Sequence, residues 1–107
     1  MVAKLKNCLQ EIIEVSKEDG CKYIQIHSEN DIIEMKNNDI NVDIFEDGIE
    51  IKGINTLFGV DVDYDKNHNK YIDIFINKRN IINITQLDIW KNFKLELDNI
   101  NYIFRVA

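Results

Sequence analysis

The chain has no proline, four glycines and two cysteines, and it carries none of the short motifs that name a reaction. A glycine-rich phosphate loop, a GxSxG elbow and an HExxH helix are all missing, and the histidines His27 and His68 stand far apart in sequence. Non-enzymatic work is the expectation. Cys8 and Cys21 fit neither a CxxC site nor a disulfide framework, so two reduced thiols in a cytoplasmic setting are expected. No apolar stretch is long enough to cross a bilayer, and Met1-Val2-Ala3-Lys4-Leu5-Lys6 leads into a charged amphipathic run instead of a signal core. Positive charge is scarce too: 13 Lys plus Arg face 19 Asp plus Glu, for a net charge of −6. That balance repels phosphate backbones and anionic membranes, so neither is an expected partner, whereas a basic protein surface is.

What the sequence does contain is strong periodicity. At 107 residues it has the length of one domain with a single core. From Ala3 to Lys17 the residues Leu5, Cys8, Leu9, Ile12, Ile13 and Ser16 recur at spacings of three and four, which predicts an amphipathic helix ended by Asp19-Gly20. Beyond it the period falls to two. Strands are expected over Cys21–Ser28, Asp31–Lys36, Ile40–Phe45, Ile49–Ile51, Val60–Asp65, Tyr71–Asn77 and Ile81–Ile84, with a terminal hairpin running from Phe93 through Val106. Residues 86–91 read as a short helix or an irregular crossover. The expected fold is α+β: the N-terminal helix packed on a twisted antiparallel β-meander, curled partway toward a barrel.

The register of the meander carries the functional expectation. Taking Asp47-Gly48 as a type I′ loop pairs Phe45 with Glu50, Ile44 with Ile51 and Asp43 with Lys52. Asn37-Asn38 serves as a turn that sets Met35 against Ile40 and Ile33 against Val42. A further turn at Thr56-Leu57 sets Ile51 against Val62, and apolar matching then sets Asp63 opposite Asp73 and Asp61 opposite Phe75. One outer row becomes Phe45, Glu50, Asp63, Asp73, without a cation; the next becomes Asp43, Lys52, Asp61, Phe75, with Lys52 between two aspartates. Like charges side by side on a sheet are destabilising, by roughly 0.2–1 kcal/mol each, so a strip of acids beside two exposed phenylalanines points outward to a partner. A solvated face relieved by loop lysines is the plain competing account.

Asp43, Phe45, Glu50, Asp61, Asp63, Asp73 and Phe75 are thus the expected partner-binding residues of an inhibitor-like or immunity-protein-like module. The expected partner is basic, such as a nucleic-acid-handling enzyme or a toxin. Asp61-x-Asp63-x-Asp65-x-Asn67-x-Asn69 superficially resembles a calcium loop, but it lacks the sixth-position glycine and the twelfth-position glutamate, so no metal or other cofactor is assigned. Two alternatives stay open. One is a small-molecule pocket inside the curled sheet lined by Tyr23, Tyr64, Tyr71 and Trp90; the other is a homo-oligomer built on strand edges.

Overall fold

Helix α1 (Val2–Glu18) buries Leu5, Leu9, Ile12 and Ser16, one stripe at four-, three- and four-residue steps. It ends in a Schellman arrangement: the Gly20 N–H donates to the Lys17 carbonyl and the Cys21 N–H to that of Ser16, with Gly20 at φ 74°. The computed structural model describes residues 1–56 and 70–107. Within them eight strands follow the helix: β1 (Tyr23–His27), β2 (Ile32–Lys36), β3 (Asn41–Phe45), β4 (Gly48–Asn55), β5 (Lys70–Asn77), β6 (Ile81–Gln86), β7 (Phe93–Leu97) and β8 (Asn101–Val106). Every pairing is antiparallel, and the order along the sheet is β3-β4-β2-β1-β8-β7-β6, with β5 on the other side of β4. The sheet curls into a half-barrel and the helix packs on one face, against β1, β4 and β8.

The alternation predicts which side chains turn inward. Ile24, Ile26, Met35, Ile49, Ile51, Ile76, Ile84, Phe93, Leu95 and Phe104 meet Leu5, Leu9 and Ile12 in one core. Phe93 and Phe104, a directly paired couple of the terminal hairpin, stack with centroids 4.6 Å apart. Gly53 faces inward as well, and a Cβ there would collide with the Met35 sulfur. Among the described residues, the cavity left between helix and sheet is about 10 Å³, room for at most about one water. Among the described residues, the space between helix and sheet is packed with isoleucine, leucine, methionine and phenylalanine side chains.

The connectivity departs from a simple meander at three places. First, β2 and β3 do not form a hairpin, so the expected couples Met35–Ile40 and Ile33–Val42 are not made. Both strands run antiparallel to β4 and share one of its edges: Met35 pairs with Asn55 and Asn41 with Lys52. Six residue steps on that side face three on β4, so the chain bends through 37–40 and carries on in the same direction. Asn37 is the reason. Its side chain is buried, and its amide donates to Ser16 Oγ at 2.6 Å and to the Cys21 carbonyl at 2.8 Å, while its own N–H donates to the Lys22 carbonyl. Asn37 and Asn38 do form a turn, closed by the Asp39 N–H donating to the Lys36 carbonyl, but it leads β3 onto β4 and not back along β2.

Second, the loop between β3 and β4 is Glu46-Asp47, not Asp47-Gly48, so the hairpin is slid by two residues from the expected register. Inside and outside are kept, because two residues is one full strand period. Among the described residues only Gly20 and Lys91 have positive φ, so this turn does not use the left-handed conformation that a type I′ loop needs. Gly48 serves another purpose. It is the first residue of β4, and a Cβ on it would collide with the Ile76 carbonyl of β5. The glycine permits a close approach of two strands.

Third, β5 pairs with β4 along its whole length, Ile49 with Ile76 and Ile51 with Ile74. The strand expected at 60–65 lies outside the described residues, but the places assigned to it beside Ile49 and Ile51 are held by β5. Of the two readings of 86–91, the helix is not formed: Gln86 ends β6, and residues 87–92 make the irregular loop of the β6–β7 hairpin. Ile44, expected on the inner face, has inward parity but lies half exposed because β3 is an outermost strand.

Candidate binding surface

The outer face of β3, β4 and β5 is built by three cross-strand rows. Phe45, Gly48 and Asn77 form the first, Asp43, Glu50 and Phe75 the second, and Asn41, Lys52 and Asp73 the third. The expected rows are thereby corrected. Glu50 stands between Asp43 and Phe75, and Asp73 faces Lys52; Asp61 and Asp63 lie outside the described residues. The slid hairpin moves Asp43 from Lys52 to Glu50, and the direct β4–β5 pairing brings Asp73 to Lys52.

Glu50 is not without a cation. Lys52 Nζ lies 3.1 Å from Glu50 Oε1, both projecting from the same face of β4 two residues apart. The hydrogen bond to Glu50 and then the charge of Glu50 raise the Lys52 pKa above its ordinary value; desolvation opposes them in part, and the charges of Asp73 and Asp43 add smaller upward contributions. Three carboxylates thus surround one ammonium on this face, leaving an excess of negative charge where a strip with no cation was expected.

Gly48 leaves a gap in the first row, and aromatic rings occupy its flanks. The Phe75 ring tip comes within 2.9 Å of where a Gly48 Cβ would stand, and the Phe45 and Phe75 centroids are 6.4 Å apart at a tilt of 51°. The rings remain 49% and 45% exposed. An apolar pair of this size, rimmed by Asp43, Glu50 and Asp73, has the composition of an interface anchor with a charged margin. Beside the bend, Asn38, Asp39, Lys52, Tyr71 and Asp73 border an open cleft of about 500 Å³. Tyr71 faces solvent there and does not line an interior pocket.

Two further groupings were not legible as such in sequence. His27 is not isolated in space: its Nε2 lies 2.9 Å from Gln25 Oε1, Gln25 Nε2 donates to Glu34 Oε2, and Thr56 Oγ1 donates to Glu34 Oε1. This polar chain ties the end of β4 to β2 and β1. At the other end of the sheet, Leu87, Ile89 and Trp90 project from the β6–β7 loop, Ile89 at 83% exposure. The loop is ordered by Asp88, whose carboxylate accepts from the Trp90 and Asn92 N–H groups and from Asn92 Nδ2. Trp90, a candidate pocket liner from the sequence, is half exposed on this loop.

The thiols of Cys8 and Cys21 are free, and burial followed by the charge of Glu11 raises the Cys8 pKa, partly offset by Lys4 and Lys91. Among the described residues no three His, Cys, Asp or Glu side chains gather closely enough to hold a metal ion. No described helix is long and apolar enough to cross a membrane. Neither a family model, a curated protein nor a solved structure matches this chain.

Proposed function

We propose that the chain is a non-enzymatic protein-binding module that docks on a basic partner surface through Phe45 and Phe75. Asp43, Glu50 and Asp73 supply the attraction at the margin of that contact. The observation that carries this reading is the tilted phenylalanine pair, half exposed over a glycine gap and surrounded by three carboxylates against one lysine. Burying two such rings on association would remove far more apolar surface from water than any single exposed aliphatic residue does. The acid margin sets orientation and on-rate more than affinity, so the partner class follows from charge: a nucleic-acid-handling enzyme or a toxin with a cationic face.

The test is co-purification from the native host with three baits: the parent chain, Phe45→Ala with Phe75→Ala, and Glu50→Lys with Asp73→Lys. A partner bound by the parent should be lost from both variants and should dissociate from the parent as salt is raised. Capture of the same proteins by all three baits, with the same salt dependence, would remove this surface from consideration.

A further inference from the structure

Among the described residues β3, β5 and β6 each lack a strand on one side, and the edges of β6 and β3 are guarded differently. At β6 the regular ladder is broken by a bulge at Ile82, and Lys4 of the helix reaches across to donate from Nζ to the Ile84 carbonyl at 3.1 Å. A bulge and a lysine are standard defences against a foreign strand adding to an edge. Among the described residues the far side of β3 has neither. Its five residues pair with β4 in unbroken register, and among the described residues no strand lies beyond it. The two-residue loop closes through the Phe45–Gly48 pair, and hydrogen-bonded and non-bonded pairs alternate from there, so Val42 and Ile44 turn their N–H and C=O groups to the open side.

What lines this edge is acid. From Asp39 to Asp47 there are four carboxylates, Asp39, Asp43, Glu46 and Asp47, and no lysine, arginine or proline. All four are exposed. Such an edge repels a second copy of itself, since pairing β3 with β3 would double the carboxylates with no cation between them. It attracts an extended chain bearing lysine or arginine. Ile44 and Phe45 are half exposed on opposite faces of the strand, so an added strand would cover one with each face.

We infer that the open edge of β3 takes an extended segment of a basic partner protein as an additional strand, with Val42 and Ile44 supplying the main-chain bonds. The segment it fits alternates Lys or Arg with Val or Ile, so that cations lie beside Asp43 and Phe45 on the outer face while branched residues lie beside Ile44 on the inner. This inference rests on the partner-binding reading of the same region, and adds the form in which the partner arrives.

The probe is a blocked octapeptide alternating lysine and valine, added to the ¹⁵N-labelled full chain. Its controls are a glutamate–valine peptide and a lysine–proline peptide that keeps the charge but loses half the donors. The lysine–valine peptide should shift the Val42 and Ile44 amides and slow their hydrogen exchange, while the controls leave both unchanged. Asp43→Lys should weaken binding on the order of tenfold, a loss in the range expected for a charge at such a margin. Equal shifts with the lysine–proline peptide would mean charge attraction without strand addition, and would overturn the inference. So would shifts confined to residues away from β3. Protection of Val42 and Ile44 that grows with protein concentration in the absence of peptide would assign the edge to a second copy instead. If strand addition fails while the Phe45 and Phe75 variants still lose the native partner, docking on the outer face stands and its edge-strand form falls.

Discussion

Asn37 makes the sharpest test of how the binding surface is positioned, because it holds the bend that lays β3 beside β4 instead of beside β2. Asn37→Ala removes two hydrogen bonds and leaves Ser16 Oγ, on a fully buried residue, and the Cys21 carbonyl without this donor. An unsatisfied buried polar group costs about 1–3 kcal/mol. The lower part of that range applies to each, because Ser16 can turn to a carbonyl of its own helix and Cys21 is half buried. The expected loss is therefore about 2–3 kcal/mol, which for a domain of this size lowers Tm by roughly 10–20 °C. Ser16→Ala alone should lose about 1 kcal/mol, and the double variant should lose less than the sum by about 0.5–1.5 kcal/mol, the worth of the shared bond. Urea denaturation followed by circular dichroism measures all four corners of this cycle. Exchange of the Asp43 and Phe45 amides, which bond to β4, should also accelerate more than that of Leu95 and Phe104. An Asn37→Ala protein within about 0.5 kcal/mol of the parent would show that the bend is not held by this side chain.

Other substitutions probe the same account elsewhere. Gly48→Ala places a Cβ against the Ile76 carbonyl and the Phe75 ring, and should destabilise by about 1–3 kcal/mol in urea denaturation; an unchanged midpoint would mean the strands do not approach as described. Asp88→Ala removes the acceptor of three bonds in the β6–β7 loop, so the Trp90 and Asn92 amides should exchange faster while the core amides are unaffected. Glu50→Gln should lower the pKa of Lys52 in an NMR titration, since Glu50 is the main cause of its elevation. Any stability Lys52 lends is complete below the ordinary lysine value and is lost as pH rises through its higher folded value. That alkaline loss should shrink in the Glu50→Gln protein.

The helix, the core list and the terminal hairpin were legible because each rests on a period alone. Leu5, Leu9 and Ile12 mark a helical stripe whatever they pack on, and Phe93, Leu95 and Phe104 point inward whichever strand lies next to them. Pairing partners are a different kind of fact. The slide of two residues at Glu46-Asp47 leaves every side chain on its expected face, so no periodicity argument can detect it. The expected Asn37-Asn38 turn is made, but its chemistry does not say that β2 and β3 pair with β4 and not with each other. Only the hydrogen bond to Ser16, 21 residues earlier in the chain, gives Asn37 its other use. The placement of β8 beside β1 is likewise a long-range choice with no local signal. Of the candidate site, Asp43, Phe45, Glu50, Asp73 and Phe75 do share one face, but their neighbours on it follow from pairing, and pairing was the part the alternation left open.

The corrected neighbours change what the charge on this face implies. With Lys52 held by Glu50 and facing Asp73, much of the repulsion that seemed to require an outside cation is met within the chain. Asp43 against Glu50 is the like-charged couple that remains, on the strand whose far side is open among the described residues. Salt separates the two uses of such a couple. Screening weakens the internal repulsion and so holds or raises the stability of the free protein, whereas it weakens attraction to a cationic partner. Solvated decoration predicts the first effect alone. A docking margin predicts both together, in opposite directions, with Asp43→Asn abolishing the two at once; that joint response is the physical signature of an acidic edge kept for a partner.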